Sequence, residues 1–360
     1  MIEKDFIPGV AGTLPETGTI RWQAPSNIAL VKYWGKRPGQ LPTNPSVSFT
    51  LDTSATRTIL KYRRISTPSK APEFRIYLDG VAAPHFSDKI GTFFERISVY
   101  QPFLSSYEFE IRTENTFPHS SGIASSASGM AALSLCLMDL ERAIYPDAKS
   151  DMYLKKASFL ARLGSGSAAR SIAGGLVEWG EHASVPGSSD LYGIAYPFEV
   201  HPVFRSYQDT ILLVDKGEKQ VSSTVGHALM QGHPFAHSRF DQARQHLDEL
   251  QPVLKEGDLP AFISLVESEA LSLHAMMMSS NPYFILMKPG TLEIINRIWE
   301  YRRETRTPVC FTLDAGANVH LLYPAENKEA VRAFVKEELL VFCQDGQYLQ
   351  DQVGPGALRI

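Results

Sequence analysis

A glycine- and serine-rich segment stands between a predicted strand and a long apolar helix: Phe117-Pro118-His119-Ser120-Ser121-Gly122-Ile123-Ala124-Ser125-Ser126-Ala127. Small residues let backbone N–H groups converge on an anion, and a helix N-terminus adds about half a positive charge. Serine hydroxyls can also bind phosphate or ligate Mg²⁺. The segment is not a Walker loop, because the chain has no G-x-x-x-x-G-K-S/T sequence. Its composition is typical either of a phosphate site or of a helix N-cap whose small residues pack tightly.

A second turn of small residues leads to an arginine, in the order Gly164-Ser165-Gly166-Ser167-Ala168-Ala169-Arg170. The turn precedes a predicted helix start, so the guanidinium lies one turn into that helix. A planar guanidinium fork suits a carboxylate or a phosphate. The alternative is a flexible loop with a surface arginine, and the turn taken alone favours this alternative.

A lysine interrupts the first apolar strand. In a strand, Lys32 shares one face with Ile28, Leu30 and Trp34. Placing a lysine among apolar neighbours is costly unless its ammonium meets an anion or a carboxylate. The alternative is that Lys32 lies at the strand end and extends its ammonium to water.

An aspartate ends a later apolar strand, in the order Thr312-Leu313-Asp314-Ala315-Gly316-Ala317-Asn318. A lone aspartate there would be an Asx-turn cap. If Lys32 and Arg170 lie nearby, the carboxylate has cationic partners and could act as a general base. A hydrolase triad is not indicated, because the chain has no G-x-S-x-G sequence. His274 and His320 are predicted to be structural.

Composition bounds the class of protein. The chain has 360 residues, 44% of them hydrophobic and 21% charged, which is typical of a globular protein with a sizeable core. The net charge of -4 shows no basic excess, so we expect no nucleic-acid partner. The three cysteines lie far apart, which indicates a reducing compartment, the cytoplasm. The N-terminus does not resemble a signal peptide, and the longest uncharged stretch, 116–138, is interrupted by Pro and Gly, so we expect no membrane partner.

The spacing of apolar residues predicts the elements that must position these groups. Alternation and buried runs predict strands over 20–32, 75–78, 107–113, 176–179, 210–214, 308–313 and 319–322. Helical spacing predicts helices over 88–100, 127–145, 151–163, 168–173, 239–254, 259–271, 289–303 and 328–338. Asp79-Gly80 predicts a hairpin turn. Strands and helices mix without strict alternation, so the fold class is α+β, in two domains of residues 1–195 and 196–360, with residues 1–20 as an extension.

Taken together, the four segments resemble the GHMP kinase superfamily and, within it, the diphosphomevalonate decarboxylase family. The matching motifs are Pro118-x-x-x-Gly122-Ile123-x-Ser125-Ser126-Ala127, Asn27-Ile28-Ala29 with Lys32-Tyr33-Trp34-Gly35-Lys36, Gly164-Ser165-Gly166-Ser167-Ala168-x-Arg170-Ser171, Lys219-x-Val221-Ser222-Ser223-Thr224 and Asp314-Ala315-Gly316-x-Asn318. They follow in order over residues 20–340. The resemblance implies a two-domain GHMP kinase-like fold with the active site in the cleft between the domains, and a homodimer.

The resemblance also implies a reaction and its residues. ATP would phosphorylate the 3-hydroxyl of mevalonate 5-diphosphate, and loss of phosphate and CO₂ would leave isopentenyl diphosphate. The implied catalytic residues are Asp314, which orients or deprotonates the hydroxyl, Lys32, which steadies the transferring phosphoryl group, and Arg170, which holds the carboxylate. The implied substrate-binding residues are Asn27, Tyr33, Trp34, Gly35, Lys36, Lys89, Ser165, Gly166, Ser167, Ala168, Ala169 and Thr224. The implied ATP and Mg²⁺ site is Pro118, Ser120, Ser121, Gly122, Ile123, Ala124, Ser125 and Ser126, with no dedicated protein cage for the metal.

Three segments of the chain depart from the family pattern. His119-Ser120-Ser121 replaces Thr-Ala-Ala, Ala317 replaces a proline, and Lys89 aligns loosely with an arginine that binds the substrate diphosphate. Lysine lacks the bidentate fork of arginine. Other activities therefore stay open: a phosphomevalonate decarboxylase or a mevalonate 3-kinase of the same superfamily, and a non-catalytic ligand-binding protein on the same fold.

Overall fold

A computed structural model describes residues 1–118, 123–145, 152–217 and 223–360, with the backbone only for Ser223 and Thr224. The strands, in chain order, are β1 (Thr17–Val31), β2 (Lys36–Arg37), β3 (Leu41–Pro42), β4 (Ser46–Arg64), β5 (Glu73–Leu78), β6 (Val81–Ala82), β7 (Tyr107–Asn115), β8 (Leu176–Trp179), β9 (Gly193–Ala195), β10 (Gln208–Leu212), β11 (Cys310–Leu313), β12 (Val319–Tyr323), β13 (Tyr348–Gln352) and β14 (Leu358–Arg359). The α-helices are α1 (Ser87–Ile97), α2 (Ser125–Ile144), α3 (Tyr153–Gly164), α4 (Pro202–Arg205), α5 (Ser223–Ala228), α6 (Ala236–Glu256), α7 (Leu259–Met278), α8 (Pro289–Thr305) and α9 (Lys328–Phe334).

Two large sheets organise the described part of the chain. The first has the order β14-β1-β4-β7-β5-β6, and β8 pairs with both β4 and β9. The second has the order β11-β12-β10-β13. Strands β2 and β3 form a separate two-stranded ribbon. The mixture of sheets and helices confirms the predicted α+β class.

Five apolar clusters are found among the described residues, and the three largest hold the layers together. Helices α1 to α3 pack on the first sheet around residues such as Leu60 and Leu137. Helices α6 and α7 pack between the two sheets, where Phe49 lies in the same cluster as Phe262. Helix α8 covers the second sheet through Ile298. Burial of this apolar area is the main favourable contribution to folding, and it places the ends of β1, β11 and α2 near one another. In the parts described, no helix combines the length and the apolarity that a membrane span needs.

Strand β4 is the largest element that the sequence pattern did not predict. It has 19 residues and lies at the centre of the first sheet, between β1 and β7, with β8 beside it as well. Its first six residues are all buried, so polar and apolar side chains do not alternate there. A strand covered on both faces loses the period of two on which the prediction depends. Strand β9 and the C-terminal strands β13 and β14 also went unpredicted.

The turn at Asp79-Gly80 forms the hairpin that the sequence predicts. Asp79 and Gly80 both have positive φ, 50° and 82°, and they join β5 to β6 with Leu78 opposite Val81. Two successive positive φ values are the signature of the type I′ turn that Asp-Gly favours. The predicted hairpin is confirmed.

Residues 1–20, which the sequence predicts to be an extension, are anchored to the rest of the fold. Strand β1 already begins at Thr17, opposite Arg63. Phe6 is 1% exposed, and its ring stacks on that of Phe159 with centroids 4.3 Å apart. The Gly12 N–H donates to the Ile144 carbonyl. One buried aromatic ring has no period, so the pattern could not show that this segment is anchored.

The division at residue 195 stays a prediction. The chain beyond it does not remain with the second sheet, because β14 returns to β1 with Arg359 opposite Trp22. Val353 also bridges to Leu51 of β4. The end of the chain therefore fastens the first sheet to the second half.

Candidate functional site

An open cleft with a volume of about 200 Å³ brings most of the predicted site residues together. The predicted residues that line it are Lys32, Tyr33, Trp34, Lys36, Lys89, Ala124, Ser126, Ser165, Gly166, Ser167, Arg170 and Asp314. They come from the end of β1 and the start of β2, from α1, from the start of α2, from the turn after α3 and from the turn after β11. Motifs that are far apart in the sequence therefore line a single cleft.

Lys32 and Asp314 face each other across this cleft. The Lys32 Nζ lies 3.6 Å from the Asp314 Oδ1, and the lysine side chain is 1% exposed while that of the aspartate is 32% exposed. The ammonium also donates to the Ala29 carbonyl at 2.6 Å. Burial lowers the pKa of Lys32 to about 8, although the Asp314 and Glu269 charges oppose this effect. Lys32 is therefore buried and paired, and the alternative of a lysine extended to water is wrong.

Arg170 is also buried, at 3% exposure, so the alternative of a surface arginine is wrong. Its Nη1 donates to the Ser46 Oγ at 2.5 Å, and its Nε donates to the Asn27 Oδ1 at 3.4 Å. The guanidinium lies 6.0 Å from the ring centre of Tyr33 and 5.8 Å from that of Trp179. Burial lowers the pKa of Arg170 to about 10, and the Asp314 charge opposes this effect. An arginine remains charged at that pKa. Arg170 therefore places a fixed positive charge at a buried position in the lining of the cleft.

The turn that carries Arg170 is tighter than the predicted helix start. Residues Gly166–Arg170 form a 3-10 helix. A Cβ at Gly166 would lie 2.8 Å from the Tyr33 hydroxyl oxygen and 3.1 Å from the Trp179 ring. Only glycine permits this close approach. The Tyr33 hydroxyl is buried and has no hydrogen-bond partner among the described residues.

Several predicted substrate-binding residues support the cleft from behind its lining. Asn27 donates to the Ser171 Oγ at 2.8 Å and accepts from Arg170. Ala168 and Ala169 are buried in the tight turn. The Gly35 N–H donates to a histidine nitrogen. None of these side chains is among the residues that line the cleft, so their contribution to binding is indirect.

The start of α2 lines one end of the cleft, where the sequence predicts the phosphate site, and this end is called the phosphate end below. The helix begins at Ser125 after Ala124, whose φ of 46° turns the chain sharply. The Lys89 Nζ donates to the Ser126 Oγ at 2.6 Å. Both residues also line a second cavity of about 250 Å³, which extends beside α2 past Ser125. Lys89 therefore stands between two spaces that meet at a helix N-terminus.

Some predicted residues are not part of this geometry. Pro118 is exposed, and Ile123 is buried with its carbonyl accepting from Ser26 at 2.5 Å. The predicted residues Ser120, Ser121, Gly122, Lys219, Val221 and Ser222 lie outside the described residues, as does the side chain of Thr224.

Two histidines that sequence reasoning did not assign to the site belong to it. His227 of α5 lines the cleft, and its Nδ1 accepts the Gly35 N–H at 2.9 Å. Its ring lies 4.3 Å from that of Tyr33, centre to centre. His274, predicted to be structural, contacts the Asp314 carbonyl through Nε2 at 3.1 Å. Burial lowers the pKa of His274 to about 4, so it is neutral and donates there. No spacing in the sequence connects either histidine to the turns that it holds.

The charges of the cleft suit an anionic ligand that also carries a reacting group. Four cationic side chains line it, Lys32, Lys36, Lys89 and Arg170, together with Asp314. Across the described ranges, no group of three or more His, Cys, Asp or Glu could hold a metal ion. Ser126 lines the cleft, and serine hydroxyls are hard oxygen donors of the kind that Mg²⁺ accepts.

Comparison of this chain with known proteins identifies its relatives. Residues 24–191 match the family model described as the diphosphomevalonate decarboxylase-like N-terminal domain, and residues 210–353 match the mevalonate 5-diphosphate decarboxylase C-terminal domain. The chain is 31% identical to the diphosphomevalonate decarboxylase of Candida albicans, over 86% of this chain and 85% of that protein.

Solved structures agree with the family models. The fold superimposes on MDDEF in complex with MVAPP, AMPPCP and magnesium with a TM-score of 0.80 and 28% identity, covering 96% of this chain and 99% of that one. It superimposes equally well on the mevalonate diphosphate decarboxylase of Staphylococcus aureus, with a TM-score of 0.80 and 27% identity, covering 96% and 98%.

Proposed function

The chain belongs to the diphosphomevalonate decarboxylase family, and from that premise we propose that it converts mevalonate 5-diphosphate and ATP into isopentenyl diphosphate, ADP, phosphate and CO₂. One observation carries the proposal: a carboxylate, Asp314, faces a buried lysine and a buried arginine, Lys32 and Arg170, in one cleft. The reaction needs a group that accepts a proton, a group that neutralises phosphate and a group that holds a carboxylate, and the cleft has all three.

Phosphoryl transfer is the first step. The Asp314 carboxylate accepts the proton of the 3-hydroxyl, the hydroxyl oxygen bonds to the γ-phosphorus, and the bond to ADP breaks. Such transfers depend on positioning and on neutralisation of charge more than on covalent help. The Lys32 ammonium lies 3.6 Å from Asp314, so in this proposal it neutralises the phosphoryl group that is transferred next to the base.

Decarboxylation is the second step. The C3–O bond breaks with its electron pair on the leaving phosphate, and positive charge develops at C3. The C1–C2 electrons then form the C2–C3 double bond as CO₂ leaves. Asp314 passes the proton that it accepted to the departing phosphate, and the carboxylate that it regains stabilises the developing cation. The two-pronged guanidinium of Arg170 holds the substrate carboxylate in line.

ATP and Mg²⁺ belong to the phosphate end. The relative solved with AMPPCP and magnesium supports both cofactors. Ser125 and Ser126 at the start of α2 would hold the ATP phosphates, and the helix N-terminus favours their charge. Mg²⁺ bound to those phosphates supplies charge neutralisation, and the serine hydroxyls fit it as oxygen donors.

The proposal is tested by measuring ADP and CO₂ release in parallel on mevalonate, its 5-phosphate and its 5-diphosphate. We expect the 5-diphosphate to have the highest kcat/KM and to release one CO₂ for each ADP. A preference for the 5-phosphate would instead identify a phosphomevalonate decarboxylase. ADP without CO₂ would identify a 3-kinase, and no turnover of any of the three would indicate a binding protein.

Lys89→Ala is expected to raise the KM for the phosphorylated substrate much more than it lowers kcat. Lys89 contacts Ser126 at the start of α2. In the proposal it binds the phosphate of the substrate and not C3, so its contact is made equally in the ground and transition states. Initial rates at saturating ATP check this expectation, and the KM for ATP is the control. If only the KM for ATP rises, Lys89 contacts the nucleotide and not the substrate.

The homodimer and the cytoplasmic location remain predictions of this proposal, as does the absence of nucleic-acid and membrane partners.

A further inference from the structure

A buried carboxylate lies directly behind Lys32. Glu269 of α7 is 0% exposed, and its Oε2 accepts the backbone N–H of Lys32 at 2.8 Å across a sequence separation of 237 residues. A carboxylate removed from water is costly unless it is paired and hydrogen-bonded. This one has its partners, and one of them is the backbone of a residue in the cleft.

The partners on the far side come from α6. Arg239 donates to both oxygens of Glu269, at 3.1 Å from Nη1 to Oε1 and through Nη2 to Oε2, and the His246 Nδ1 lies 2.5 Å from Oε1. Burial alone would raise the pKa of Glu269, but the contacts with His246, Arg239 and the Lys32 N–H outweigh it and hold that pKa below its ordinary value. The carboxylate is therefore ionised.

The charges around Lys32 show what Glu269 contributes. The titratable groups that interact electrostatically with the Lys32 ammonium are Asp314, Glu269, Arg170, His274 and Asp209. Glu269 and Asp314 favour the charged form of Lys32, whereas burial and Arg170 oppose it. Asp314 is engaged in the reaction, so Glu269 is the negative neighbour of Lys32 that stays unchanged throughout.

We propose that Glu269 is a positioning residue for Lys32: its carboxylate fixes the Lys32 backbone at the end of β1 and keeps the ammonium charged in the cleft. This inference rests on the proposed function only for the role of Lys32 in catalysis. The effect on the ammonium itself is independent of any reaction.

The same helix offers a matched control two residues earlier. Glu267 is also buried, at 7% exposure, and it accepts from Arg302 at 2.6 Å and from the Trp299 Nε1 at 2.9 Å. Those partners belong to α8, behind the second sheet. Glu267→Gln thus breaks a comparable buried ion pair without changing the charge next to Lys32.

The experiment compares Glu269→Gln, Glu267→Gln and the unchanged chain. Loss of the negative neighbour lowers the pKa of Lys32, so the alkaline fall of kcat/KM, expected near pH 8, moves to lower pH in Glu269→Gln by about half a unit or more. Glu267→Gln is expected to lower Tm by a similar amount and to leave the pH profile unchanged. An unshifted profile in Glu269→Gln, or equal shifts in both variants, would overturn the proposal.

A second readout does not depend on activity. NMR of lysines labelled with ¹³C at Cε follows the titration of Lys32 directly, with its signal assigned from Lys32→Met. The midpoint should fall in Glu269→Gln and not in Glu267→Gln. If the unchanged chain shows no turnover but this midpoint falls, the proposed function fails and the inference stands. If Glu269→Gln does not fold, Glu269→Asp keeps the charge on a shorter side chain, and we expect an unchanged pH profile with a lower kcat. An unchanged kcat in that variant would remove the positioning role.

Discussion

Asp314→Asn is expected to fold, to bind ATP and to lose at least about a hundredfold in kcat for both ADP and CO₂ release. Asparagine keeps the shape of the side chain but can neither accept the proton of the 3-hydroxyl nor oppose positive charge at C3. Loss of a positioned base typically costs on the order of 10²–10⁴ in rate, or roughly 3–5 kcal/mol of transition-state stabilisation. ATP binding is expected to persist, because it depends on the start of α2.

The geometry already argues against a mere turn cap at Asp314. The Gly316 N–H donates to the main-chain oxygen of Asp314 at 2.8 Å, while the carboxylate faces Lys32. Asp215 offers a matched control, because its carboxylate does cap a turn by accepting the Gly217 N–H at 2.7 Å. Asp215→Asn should keep kcat close to that of the unchanged chain.

Product analysis of Asp314→Asn separates the two halves of the reaction. Normal ADP release without CO₂ would restrict Asp314 to decarboxylation. Normal release of both products would end its proposed role in the mechanism.

Arg170→Lys is expected to keep the fold and to lose on the order of a hundredfold in kcat/KM. A lysine retains the positive charge but not the planar fork that holds a carboxylate in two places. Misplacement of a reacting group by about 1 Å can cost about a hundredfold in rate. The guanidinium of Arg170 also donates hydrogen bonds to Ser46 and Asn27. A lysine at this position would lose the bonds that fix its own side chain.

Arg162 is the control for this change. It is equally buried, at 0% exposure, and burial lowers its pKa to about 10 as well. Its Nε donates to the Leu191 carbonyl at 2.8 Å, and it is not among the residues that line the cleft. Arg162→Lys should lower Tm while kcat/KM remains close to that of the unchanged chain. Comparable losses of kcat/KM in the two variants would mean that Arg170 acts through stability and not by holding substrate.

Local features of this protein could be predicted from the sequence because their causes are local. The Asp79-Gly80 hairpin follows from backbone preferences of two adjacent residues, and α2 follows from a run of apolar residues after a small-residue turn. The order of the four motifs also identified the family, since residue types that bind phosphate and carboxylate recur at characteristic spacings. The cofactors and the reaction followed from that resemblance, whereas the α+β class followed from the mixture of strand and helix patterns.

Only the tertiary structure decided which of these residues are buried and what they face. For Lys32 and for Arg170 the sequence also allowed a side chain at the protein surface. Their exposures of 1% and 3% exclude that alternative. The central strand β4 escaped notice because cover on both faces removes its alternation. Glu269 could not be connected to Lys32 from the sequence, because the two are 237 residues apart and no local pattern links them. The cost of burying a charge depends on the partners that the fold brings to it, and those partners come from distant parts of the chain.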